Sequence, residues 1–237
     1  MRAHSFQERV VAKCAEINQE AEQLLKKAMG LGNLQACAAL AEMYLSRDKV
    51  GVKPPIMEHM PMAVDLVSEF DSDPDCMGVL AYCHFKYNML NKAAPLAAQS
   101  AQDGSKYGQF VCGLIQRTQR NYAGAHHWFS LAAGQNFDEA QIGLAELYSS
   151  GKMGGTKEEA RRLLELAAVQ GNDKAILHIG ISYGDEAIAL KKESRTDEAD
   201  AQYEQACRWL EFAVEANANG AERALRVMRN KFEESTP

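Results

Sequence analysis

One pattern of small and large apolar residues recurs along the chain, beginning at Ala21, Ala63, Ala93, Ala125, Ala160 and Ala206. With the first alanine counted as zero, the copies at Ala125 and Ala160 both carry a large apolar residue at +3 (Trp128, Leu163) and alanines at +7 and +8. Both continue with Ala at +15 (Ala140, Ala175), an aliphatic at +19 (Leu144, Ile179), a small residue at +20 (Ala145, Gly180) and tyrosine at +23 (Tyr148, Tyr183). The copy at Ala21 matches through Leu24, Ala28, Gly32, Ala36, Leu40, Ala41 and Tyr44, and the other three match in shorter form. Positions 0, +3 and +7 share one face of a helix, and +15, +19 and +23 share a face of a second. Gly or Asn near +11 supplies the left-handed residue that ends the first helix. A single hairpin of this kind cannot bury its own apolar face, so hairpins must stack. The expected fold is all-α: a right-handed α/α superhelix (solenoid) of about six stacked helical hairpins, forming a single repeat domain over 1–237.

The segment Gly151-Lys152-Met153-Gly154-Gly155-Thr156-Lys157-Glu158-Glu159-Ala160 is a Gly-rich connector running into an acidic helix start, whereas Arg120-Asn121-Tyr122-Ala123-Gly124-Ala125 is a tighter turn. In these stretches and in the repeat itself, from about residue 21 to 229, the chain resembles the Sel-one-like repeat family, relatives of tetratricopeptide repeats. The resemblance implies a scaffold or adaptor that binds other proteins. It specifies no chemistry.

Four segments depart from the pattern. Ser5 and Glu8 form a capping-box pair at the head of a long N-terminal capping helix expected over 1–30, carrying Phe6, Val10, Ile17, Leu24 and Leu25. Residues 47–60 contain Pro54-Pro55 and read as an inserted loop. Residues 184–205 read as an insertion that lengthens both helices of one hairpin, with the join near Ser194-Arg195-Thr196. Residues 230–237 read as a frayed tail, after a last copy in which Arg226 and Arg229 give a polar outer face.

Charge and motifs narrow the function. Lys and Arg number 26 against 32 Asp and Glu, a net charge of −6, which disfavours a binder that tracks phosphates along nucleic acid. No apolar run approaches the roughly 18 residues of a membrane span, and the charged start Met1-Arg2 to Glu8-Arg9 lacks a signal peptide's apolar stretch, so a cytoplasmic protein is expected, to which the resemblance adds a bacterial source. Six cysteines without a CxxC read as reduced thiols; on one helix Cys76 and Cys83 would stand roughly 10 Å apart, too far for a disulfide. His126-His127 point about 100° apart and do not chelate. The glycines at 151, 154 and 155 lack the Gly-Lys-Ser/Thr ending of a phosphate loop. The expectation is no catalysis, no cofactor and no metal.

In tetratricopeptide solenoids the groove is lined beside the core stripe of one helix per hairpin. Carried onto this chain by the resemblance, those positions are +14, +17, +21, +24 and +25. They give Gln35, Ala38, Glu42 and Leu45 in the first copy; Tyr82 and Phe85 in the second; Tyr107, Phe110, Leu114 and Arg117 in the third; Glu139, Ile142 and Glu146 in the fourth. Glu42, Tyr82, Phe85, Tyr107, Phe110, Leu114, Arg117 and Glu146 form the candidate partner-binding set, rich in the Tyr and Arg that dominate interface hot spots. The expected ligand is a protein or peptide, and the acidic balance favours a basic one. The alternatives are a bacterial effector or an immunity or regulatory protein acting by binding, and, from another class, an enzyme or small-ligand binder using a concave pocket.

Overall fold

The computed structural model describes residues 20, 22–28, 36–41, 60–68, 70, 72–216 and 218–235. Among them every regular element is an α-helix, and no strand occurs. The chain divides into two compact units, residues 1–48 with 54–111, and residues 49–53 with 112–237.

The first unit contains helical residues 22–28 (α1) and 36–41 (α2), α3 (Met60–Ser68), α4 (Pro74–Lys86), α5 (Leu90–Gln102) and the start of α6 (Lys106–Thr118). Helix α4 packs against both α3 and α5. Its close approach to α6 depends on glycine: a Cβ on Gly78 would fall 2.6 Å from the Gly108 backbone nitrogen. Ser100, fully buried beside this crossing, donates from Oγ to the Pro74 carbonyl at 2.6 Å.

The second unit holds the rest of α6, then α7 (Tyr122–Gly134), α8 (Asp138–Ser149), α9 (Lys157–Val169), α10 (Asp173–Lys192), α11 (Thr196–Glu215) and α12 (Ala221–Glu234). From α7 onward each helix packs on the next, and α10 also touches α12. This is a stack of antiparallel hairpins held by neighbour contacts, as the repeat requires.

The connectors share one construction. Asn88, Gly104, Arg120, Asn136, Gly151, Gly171 and Ser194 each adopt φ between 59° and 88°. The N–H that follows each one bonds the carbonyl five residues back, as in Ser105 to Ser100, Phe137 to Ala132 and Asn172 to Ala167. That is a Schellman ending, which satisfies carbonyls the helix leaves open. In most of these connectors the next residue is already the N-cap of the following helix. Asn121 accepts from the Gly124 N–H, and Asn172 accepts from Lys174 and Ala175. Between α8 and α9 the connector is longer and ends in a capping box, with Thr156 and Glu159 each accepting from the other's backbone N–H.

Burial corrects the register of the first helix. Ala125, Phe129 and Ala132 are buried, as are Ala160, Leu164 and Ala167, and Ala206, Leu210 and Ala213, so the deep large residue sits at +4. Trp128, Leu163 and Trp209 at +3 are half-buried. At about 100° per residue, 0 and +7 lie only about 20° apart and +3 and +4 flank them symmetrically, each about 40° outside, so helical periodicity alone does not choose between them. The Phe129 ring lies between Gly113 of α6 and Gly143 of α8, where added Cβ atoms would come within 2.5 and 3.1 Å of it. Leu210 meets Gly180 in the same way, at 2.7 Å.

Helices α10 and α11 run 20 residues each, against 12 or 13 for α4 to α9. The extra length is packed: Ala187, Leu190, Ala199 and Phe232 form a cluster, and Tyr203 stacks on Phe232 at 4.1 Å. Over residues 230–234 this replaces the frayed tail expected for 230–237, of which 236–237 lie outside the described residues. The chain is helical to Glu234 because Phe232 is buried and its carbonyl accepts from Lys191 Nζ at 2.9 Å. Of the helix expected over 1–30, residues 20 and 22–28 are helical, with Leu24 exposed; the remainder lies outside the described residues, as do 47–59 of the expected loop.

Candidate functional site

Charged residues gather on the second helices of successive hairpins. Arg117 of α6 donates to Glu146 of α8 at 2.5 Å, and Glu146 lies 3.8 Å from His178 Nε2 of α10. All three side chains are a little over one-third exposed. Nearer the N-terminal ends of α8 and α10, Lys174 Nζ donates to both oxygens of Glu139 at 3.1 and 3.2 Å, and the Asn172 amide donates to Asp138 at 2.5 Å. Such half-exposed pairs stabilise by only about 0.2–1 kcal/mol each. Their consequence is geometric: they fix α8 and α10 side by side and hold polar groups toward solvent.

Beyond the Glu146–His178 contact an open cleft of about 460 Å³ runs between α8 and α10. Glu146 and Ser149 form one wall, His178, Ser182 and Asp185 the other, Lys157 of α9 adds a cation, and the exposed Ile181 gives it an apolar part. The cleft thus places one exposed apolar side chain beside charges of both signs.

The predicted residues divide. Arg117 and Glu146 are joined in the ion pair at the mouth of this cleft. Tyr82 and Phe85 are half-buried in α4, and the Tyr82 ring lies 5.9 Å from that of Phe110. Tyr107, Phe110 and Leu114 are 7%, 6% and 6% exposed, so they do not present an open surface. The reason is their spacing: as apolar residues at +14, +17 and +21 they make a helical stripe that α6 buries. In the next copy Glu146 at +21 is accessible, whereas Ile142 is buried and Glu139 is largely covered beside Lys174. Glu42 lies outside the described residues. Sequence reasoning missed His178, Ile181, Ser182 and Asp185. Ile181 and Asp185 fall at +21 and +25 of the fifth copy, so the positional rule would have found them had it been carried one hairpin further.

Buried titratable groups away from the cleft are structural. Burial pushes the Cys83 thiol up to about 12 and the Cys112 thiol to about 11. Burial, then the Glu159 carboxylate, raises the Tyr148 phenol, which meets His126 Nε2 at 3.0 Å. Among the described residues no group of three or more His, Cys, Asp or Glu is placed to hold a metal ion, and no helix is long and apolar enough to cross a membrane.

Helical hairpin repeats of this kind have counterparts among solved structures. The chain is similar to c5321, a protective antigen of uropathogenic Escherichia coli strains displaying an SLR fold, at 19% identity over 90% of this chain and 49% of that one, with a TM-score of 0.45. It is similar also to a Sel1 repeat protein from Oxalobacter formigenes (21% identity, 84% of this chain and 80% of that one, TM-score 0.48) and to MamA (14%, 66% and 91%, TM-score 0.45). This chain spans about half the length of c5321. No family model matches the sequence, and no curated protein matches it.

Proposed function

We propose that the chain is a non-catalytic scaffold that holds a protein or peptide segment in the cleft between α8 and α10. The observation that carries this reading is the cleft itself, in which Glu146, Ile181 and Asp185 all occupy groove positions of the repeat. A segment bearing Lys or Arg would pair with Asp185 and compete with Arg117 for Glu146, and one also bearing an acidic residue would meet Lys157. Because half-exposed ion pairs contribute little, the affinity would come from apolar side chains laid on Ile181.

The test compares what co-purifies with the wild-type chain and with an Ile181→Asp, Asp185→Lys variant, read by mass spectrometry. Both positions are exposed, so helicity and melting temperature are expected to stay unchanged while a captured protein is lost. Identical recovery from both forms would reject the cleft as the binding site.

A further inference from the structure

Second helices of successive hairpins meet near positions +14 to +17. Glu139 and Lys174, both at +14, pair between α8 and α10, and Gly78, at the +17 place of its copy, comes against Gly108 at +15 where α4 crosses α6. The second copy reaches its +15 place early: Cys76 stands 13 residues after Ala63, where Ala36 stands 15 after Ala21. Cys76 thus begins the buried stripe of α4, and Cys37, at +16 of the first copy, lies in α2 on the hairpin before it. The register sets the two cysteines against each other.

Their contacts agree with it. Cys37 and Cys76 are both fully buried, and the Cys76 thiol hydrogen-bonds to the Cys37 sulfur and to the Asp73 carboxylate. Cys37 Sγ also donates to the Leu66 carbonyl of α3 at 3.5 Å. Both sulfurs are therefore held where α2, α3 and α4 join, within the first unit. In every later copy the +15 place is glycine or alanine, so only this junction pairs two cysteines.

We propose that Cys37 and Cys76 form a disulfide that ties α2 to α4 when the chain meets a low-molecular-weight disulfide, oxidised glutathione being the type. One cysteine, as its thiolate, attacks the glutathione disulfide and expels one glutathione thiolate. The other cysteine then attacks the protein sulfur of the mixed disulfide, forming the Cys37–Cys76 bond and expelling the second glutathione. The protein thiols lose two electrons and two protons, and one glutathione disulfide becomes two glutathione thiols. Burial, then the neighbouring Cys37, holds the Cys76 thiol well above the ordinary cysteine range, so exchange runs through opening of these hairpins and the closed pair reacts slowly. Once formed, the bond is shielded from reductant by the same burial. It closes a loop that contains the inserted segment 47–60, and restricting so long a loop in the unfolded chain favours the folded one. The pair is independent of the α8–α10 cleft and of what that cleft binds.

The test incubates the full chain with oxidised glutathione under native conditions, blocks residual thiols with N-ethylmaleimide in denaturant, digests without reduction and maps the linkages by mass spectrometry. A peptide pair joined through Cys37 and Cys76 is expected as the main protein disulfide. The chain unfolded in urea before oxidation is expected to give mixed pairings instead. The oxidised chain is expected to melt at a higher temperature than the reduced one, a shift lost in Cys37→Ala and in Cys76→Ala; the linkage map of the wild-type chain stands whether or not these variants fold. The proposal is overturned if Cys37 and Cys76 are both recovered with maleimide while glutathione sits on Cys112 or Cys207. It is overturned as well if their linkage is no more abundant from the native chain than from the unfolded one. An oxidised chain that melts at or below the reduced one would remove the tie between α2 and α4.

Discussion

The contact of Phe129 with two glycines sets the packing between α6, α7 and α8 at the level of single atoms. A methyl at Gly113 would enter the ring, so Gly113→Ala is expected to destabilise the chain by about 1–3 kcal/mol despite alanine's better helix propensity. In a Phe129→Ala background, itself costing about 3–5 kcal/mol, the same change is expected to become stabilising, because the methyl then enters vacated space and the propensity gain remains. Urea titrations of the four forms measure the cycle, and a Gly113→Ala effect of the same sign in both backgrounds would exclude the packing described. The sequence shows that both +3 and +4 are apolar in these copies, so hydrophobicity alone cannot choose between Trp128 and Phe129. The choice is made by glycines on the neighbouring helices, a long-range complementarity that a local pattern does not contain.

Among the elements, the helices were legible and the connectors only in part. Gly104, Asn136 and Gly171 stand at +11 of their copies, and each adopts the left-handed conformation expected there. Arg120 and Ser194 adopt it as well, although neither residue type favours it, because the Schellman bonds from Asn121 and Arg195 hold the backbone in place. This predicts opposite responses. Ser194→Gly is expected to raise unfolding stability by up to about 1 kcal/mol, and Gly171→Ala to lower it by about 1–2 kcal/mol. Denaturant midpoints that move the other way in both variants would mean that strain at these turns is not what limits them. The open face was harder to read than the turns. Positions +14, +17 and +21 are buried in α6, where all three are apolar, whereas in α8 Ile142 at +17 is buried, Glu139 at +14 is largely covered and Glu146 at +21 stays accessible. Position in the repeat identifies the face, and residue type decides whether it opens.

At the scale of the molecule, contacts in the second unit run between sequential helices, with α10–α12 as the longer reach. Stability in such an array is a sum over hairpins and their neighbours, so its parts can open separately. The chain's two tryptophans report on this, with Trp128 in α7 and Trp209 in α11. Single-tryptophan forms made by Trp209→Phe and Trp128→Phe are expected to give fluorescence transitions with different urea midpoints, each referred to its own circular-dichroism curve. Coincidence of both probes with the loss of helicity would show instead that the array unfolds in one step.

The linked residues Arg117, Glu146 and His178 occupy +24, +21 and +18 of their copies, a diagonal that slips by three residues at each hairpin. Copying the hairpin that begins at Ala125 would preserve every repeat position and still break this diagonal. The first glutamate would keep Arg117 but face Gly143 of the copy, and the second would keep His178 but face Ser149. Lengthening such an array by duplication therefore leaves each new junction electrostatically mismatched until its side chains have diverged.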